Sequence, residues 1–78
     1  GTLISAMPLA VYQALGDEPR AALASAERYL MEGAPQLALP NAATAMAGLP
    51  EYSQDWIRAQ DVKLVAEAQV QKMEKRRR

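Results

Sequence analysis

The sequence predicts a small all-α protein built from four helices. Apolar residues recur at spacings of three and four, the period that places them on one face of a helix. Glycines at positions 16, 33 and 48 separate these segments. No run of four to eight β-branched and aromatic residues lies between turn signals, so we expect no strand. The 78 residues are enough for a single small domain, 1–78.

The first two helices form one antiparallel hairpin. The apolar spacing predicts a helix over residues 3–15, and Gly16 ends it. Asp17 can cap the next helix while Pro19 occupies its first turn, which predicts a helix over residues 18–32.

The last two helices form a second hairpin. The alanine-rich stretch "ALPNAATAMAGLP" belongs to a third helix over residues 35–47, where Pro35 and Pro40 are each compatible with a helix start. Gly48 ends this helix. The segment 53–75 contains no glycine or proline and many good helix formers, so it predicts the longest helix.

The composition predicts a thin core. Half of the residues are apolar, but sixteen are alanine and none is phenylalanine. Alanine contributes little to burial at about 25 cal/mol per Å² of apolar area, and a chain of this length buries only about 60% of its unfolded surface. We therefore expect packing against a partner or a second copy, with a homo-oligomer as the expected state.

The residue types argue against catalysis. The chain has no histidine and no cysteine, which removes the commonest general base, the commonest nucleophile pairs and thiolate zinc sites. Asp17 and Glu18 form the one adjacent carboxylate pair, at a helix start where acids favour the dipole. We predict a protein that is not an enzyme, with no catalytic residues, no cofactor and no bound metal.

No apolar run approaches the roughly 18 residues that a membrane span requires. We expect a soluble chain, and the cytoplasm is the default compartment because cysteine usage does not discriminate.

Four residues of the last hairpin are candidates for partner binding. Aromatic residues dominate binding hot spots, and the fourth helix carries more apolar residues than the short third helix can cover. The candidates are Tyr52, Trp56, Ile57 and Leu64. For Tyr52 and Trp56, burial against the third helix is the alternative reading.

The basic C-terminal end, residues 72–78, is the candidate anion-binding segment. A basic segment binds phosphates by releasing counterions. The alternative is a solubilising helix end whose positive charges suit the negative pole of the helix dipole. The candidates are Lys72, Lys75, Arg76, Arg77 and Arg78.

Two segments 32 residues apart, "MPLAVYQALG" and "LPNAATAMAG", resemble each other, and each leads into a further helix. The stretch "YQALGDEPRAAL" resembles a tetratricopeptide repeat over about one hairpin, with Tyr12, Gly16, Asp17 and Ala21 at matching spacing. The resemblance implies a stack of helical hairpins that binds peptides or helices on a concave surface. A closed four-helix bundle explains the alanine-rich third helix equally well.

These observations predict a non-enzymatic module of helical-repeat type for protein–protein interaction or self-association. The alternative function is a small nucleic-acid-associated or anionic-surface-binding protein that uses its basic tail.

Overall fold

The protein folds into four helices in a computed structural model that describes residues 9–77. The helices are α1 (Leu9–Ala14), α2 (Glu18–Met31), α3 (Pro35–Gly48) and α4 (Gln54–Arg77). They contain 84% of the described residues, among which there is no strand. The predicted all-α class with four helices is confirmed. The first six residues of the helix predicted over 3–15 lie outside the described residues.

Glycine ends the first two helices by the same backbone arrangement. Gly16 and Gly33 have positive φ angles of 72° and 80°, which L side chains rarely adopt. After α2, the amide of Ala34 donates to the Tyr29 carbonyl at 2.8 Å, and the Gly33 amide donates to the Leu30 carbonyl at 3.2 Å. The same pair of bonds surrounds Gly16. Each pair satisfies carbonyls that the helix end would otherwise leave free.

Polar caps and prolines begin the longer helices. The Arg20 amide donates to the Asp17 carboxylate at 3.2 Å at the start of α2. The Trp56 amide donates to the Ser53 hydroxyl oxygen at 3.2 Å at the start of α4. Pro35 occupies the first turn of α3, where a missing N–H costs nothing.

Pro40 lies inside α3, so only Pro35 marks the start of this helix. Proline removes one backbone hydrogen bond from a helix interior. Side chains of the next residues make additional bonds here: the Thr44 hydroxyl donates to the Pro40 carbonyl at 3.0 Å, and the Asn41 amide group donates to the Leu37 carbonyl at 2.8 Å. The ring of Pro40 is on the exposed side of α3.

The core lies between α2, α3 and α4, while α1 packs on α2. Helices α2 and α3 run antiparallel, as do α3 and α4, because a short turn joins each pair. Two buried clusters fill the space between them. They consist of Ala22, Leu23, Ala45, Leu49 and Ala59, and of Ala26, Ala38, Ala42, Val62 and Ala66.

Small side chains bring these helices close together. Seven of the ten core residues are alanine, and none of the larger described side chains is fully buried. The end of α3 lies close to the start of α2, where a Cβ on Gly48 would lie 2.5 Å from Cγ of Pro19. Such close packing leaves little space for additional atoms in the core.

We predict that Ala42→Leu destabilises the protein by about 1–3 kcal/mol, because three more carbons must fit where three helices already meet. Ala43→Leu is the matched control, since the neighbouring Ala43 is exposed. Its effect should stay within about 0.5 kcal/mol. Urea denaturation of both variants measures the difference, and equal effects would contradict the tight packing of the three helices.

Candidate functional site

One side of α4 faces away from the other helices and carries a mixed apolar and charged surface. We call it the outer face; it consists of Ile57, Asp61, Leu64, Val65, Ala68, Lys72 and Lys75, all of which are exposed. The spacings of three and four residues keep these positions on one side of a helix with 3.6 residues per turn. The opposite side of α4 holds Ala59, Val62 and Ala66, which are buried in the core.

The outer face exposes three large apolar side chains within one stretch of helix. Ile57 and Val65 are each 44% exposed and Leu64 is 57% exposed. Ala68 extends the apolar surface by one turn toward the C-terminus. Scattered exposed apolar residues are common on proteins, but a continuous group is typical of a contact surface.

Tyr52 and Trp56 form a separate pair before and at the start of α4. Their ring centroids lie 5.0 Å apart with planes tilted by 55°, an arrangement that aromatic pairs prefer. Trp56 is half-buried and packs on the core cluster that contains Leu23, whereas Tyr52 is 74% exposed. The four partner-binding candidates therefore divide into this pair and the Ile57–Leu64 part of the outer face.

A chain of ion pairs fixes α4 against α2. The Arg20 guanidinium contacts the carboxylates of Asp17 and Asp55, each at 2.9 Å. Arg58 donates to both carboxylate oxygens of Glu27 at 2.8 Å, and lies 3.6 Å from Asp55. Acids and bases alternate along this seam, so each charge has an opposite neighbour. We regard the seam as a structural feature that sets the rotation of α4 about its axis.

The ion pairs shift the pKa values of the paired groups in the direction that favours their charged forms. The hydrogen bond from Arg20 lowers the pKa of Asp17 below its usual value, and Asp17 in turn raises the pKa of Arg20. The bidentate contact with Glu27 raises the pKa of Arg58. These shifts move each group further from titration near neutral pH, the opposite of what acid–base catalysis requires.

The basic residues at the end of α4 point to different places. Lys72 lies at the border of the outer face and, together with Gln69, Met73 and Arg76, lines a shallow cleft next to Gly33 and Pro35 at the start of α3. Lys75 is exposed on the outer face. Arg77 is the last residue of α4, and its side chain and the whole of Arg78 lie outside the described residues.

Neither a metal site nor a membrane-spanning helix is found in the described part of the chain. Among residues 9–77, no three acidic side chains come together in a way that could hold a metal ion. Within the same residues, no helix is both long enough and apolar enough to cross a bilayer.

Lys72 is a sequence-based candidate for anion binding only. Three outer-face residues are absent from the sequence-based candidates: Asp61, Val65 and Ala68. The signal for them is the spacing itself, because positions 57, 61, 64 and 68 follow one another at four, three and four residues. The sequence does not reveal which side of α4 meets α3, since apolar residues lie on both sides.

Comparison with known proteins finds no family model, no curated protein and no solved structure that matches this chain. The function is therefore inferred from the surface of the protein itself.

We predict that acid weakens the fold partly through Asp17. Because its pKa is lowered in the folded state, its contribution is complete above about pH 5 and is lost as the pH falls through the folded-state pKa. Asp17→Asn keeps an oxygen for the helix cap but removes the charge. Its urea midpoint should therefore fall less between pH 6 and pH 3 than that of the unmodified protein. Parallel losses in both proteins would show that Asp17 does not contribute.

Proposed function

We propose that this protein is a non-catalytic helical module, of the helical-repeat type, that acts by binding another protein surface. One observation carries the proposal: many large apolar side chains are exposed, while seven of the ten core residues are alanine. In the described residues, Leu15, Met31, Leu37 and Tyr52 are exposed in addition to the three large apolar residues of the outer face. A core of alanine contributes little free energy of apolar burial. Binding a partner that covers the exposed apolar side chains therefore stabilises the folded protein.

The outer face is the favoured contact surface. It lies on the longest helix and is held in a defined orientation by the ion pairs between α2 and α4. Its apolar centre is flanked by Asp61 on one side and Lys72 and Lys75 on the other. An apolar centre with a charged border is the usual composition of protein interfaces.

The arrangement of helices also supports a repeat-like module. Each helix packs on the next one in sequence, and α4 additionally contacts α2. In a stack of helical hairpins, the last helix has one face without a neighbour, and that face accepts a further helix. The outer face of α4 has this position in the protein.

We predict that Leu64→Glu abolishes partner binding while Leu37→Glu preserves it. The two leucines have similar exposure, 57% and 46%, but only Leu64 belongs to the outer face. A tagged full-length chain, chemically cross-linked in the cells that produce it, identifies the partner by mass spectrometry. Binding is then measured with purified components. Circular dichroism confirms that both variants keep their helical content.

A partner lost from both variants, or from neither, would contradict the assignment to the outer face. If the purified protein binds neither a cellular protein nor a second copy of itself, the proposed function is wrong.

The alternative function is binding of nucleic acid or another anionic surface by the basic end of α4. The position of Lys72 and Arg76 beside the start of α3 favours it, because helix N-termini carry partial positive charge. Against it, the chain has no net charge, and upstream of Lys72 the basic residues of α4 are Arg58 and Lys63 alone.

We predict that removal of residues 75–78 leaves helical content and thermal stability nearly unchanged, because these residues follow the part of α4 that packs on the core. Circular dichroism and titration with a duplex DNA probe at 50 and 200 mM salt test this. Tight DNA binding at low salt that disappears at high salt and on truncation would favour the alternative function.

A further inference from the structure

We propose that the partner of the outer face is the outer face of a second copy, with the two α4 helices antiparallel about a twofold axis near residue 66. This inference rests on the proposed function and names its partner. It follows from the order of residues along α4. When two copies of this helix run antiparallel, apolar residues face apolar residues and the acidic residue faces a basic one.

Antiparallel pairing brings apolar residues together at the centre. If Ala68 lies opposite Leu64 of the partner subunit, then by symmetry Leu64 lies opposite the partner's Ala68. Val65 then lies near Val65 of the partner subunit, beside the twofold axis. The smaller Ala68 leaves space for the leucine, as alternating large and small residues do in packed helix pairs.

Charges meet at both ends of this apolar centre. Asp61 lies beside Lys72 of the partner subunit, and the symmetry repeats the pair on the other side. Ile57 lies against the aliphatic part of the partner's Lys75. Within residues 9–76, the ion pairs of the protein use neither Asp61 nor Lys72, so both are available for a partner.

The same charges disfavour the parallel arrangement. Parallel helices would place each Asp61 next to the other Asp61 and each Lys72 next to the other Lys72. Like charges at close range destabilise a helix pair, and the aligned helix dipoles would add to this effect. Arg58 would come near the partner's Lys72 in the antiparallel pair, but Glu27 and Asp55 already neutralise it.

The size of the surface predicts a weak dimer. With 24 residues, α4 is about 36 Å long, and one face of a helix is about 10 Å wide. The contact therefore falls below the roughly 1,600 Å² of total buried area that is standard for stable complexes. We expect dissociation in the micromolar range, where sedimentation equilibrium detects both monomer and dimer.

Cysteine cross-linking tests the antiparallel geometry, because the chain contains no native cysteine. Val65→Cys should cross-link efficiently to itself with a short bis-maleimide reagent. Ile57→Cys should not, since the two positions would be about 27 Å apart along the helix axes. A mixture of Ile57→Cys and Lys75→Cys chains should cross-link to each other. Efficient self-linking at position 57 would indicate parallel helices and overturn the proposal.

Charge reversal tests the ion pairs. Asp61→Lys and Lys72→Glu, as single substitutions, each place like charges at both ends of the interface and should weaken the dimer about tenfold at low salt. The double variant carries the two charges in exchanged positions and should recover the original affinity to within about threefold. Leu37→Glu is the control and should leave dimerisation unchanged. Failure of the double variant to recover would contradict the antiparallel pairing.

The outcomes separate this inference from the proposed function. If the protein stays monomeric at a concentration 100 times the expected micromolar dissociation constant, the proposed dimer is wrong. If that monomer still binds a cellular protein in a manner that Leu64→Glu abolishes, the proposed function stands and only its partner is different. If it binds nothing, both are wrong.

Discussion

Close contact between helix backbones through alanine is the constraint on which the structure depends. Ala26, Ala38, Ala42, Ala45 and Ala66 have no exposed surface, and they lie where α2, α3 and α4 meet. Short side chains allow the helices to approach and gain dispersion contacts between backbone atoms. They also bury little apolar area per residue, so the core contributes little free energy of burial. The same feature that makes the core tight therefore leaves several large apolar side chains exposed on the surface.

The second constraint is the rotation of α4 about its own axis. Apolar residues lie on both sides of this helix, with Val62 toward the core and Leu64 toward solvent. Burial of alanine alone distinguishes these orientations weakly, because the area involved is small. The contacts of Arg20 with Asp55 and of Arg58 with Glu27 are directional and exist in one orientation only. Exposed ion pairs contribute little to stability, yet these determine which side chains of α4 face solvent.

The sequence predicted the number and class of the helices because their ends depend on local chemistry. Gly33 and Asp17 act through backbone conformation and capping within a few residues of themselves. The candidate site was predictable in part: Ile57 and Leu64 were found as surplus apolar residues, but Asp61 and Val65 were not. Their significance depends on the rotation of α4 about its axis, and this follows from ion pairs between α2 and α4 that join residues 35 and 31 positions apart. At Pro40, local chemistry did not predict the structure. Proline favours the first turn of a helix, but Pro40 lies inside α3, where the packing of the whole helix outweighs this preference.

The contact between Gly48 and Pro19 affects how this sequence can change over evolutionary time. The proline ring occupies the volume that any side chain at position 48 would need, and a ring cannot move aside as a flexible chain does. Alanine at position 48 would otherwise favour the helix, so its effect depends on the residue at position 19. Replacement of Pro19 first opens a path to substitutions at Gly48, whereas the reverse order passes through a destabilised intermediate. Among descendants of this sequence, we expect the two positions to change in that order.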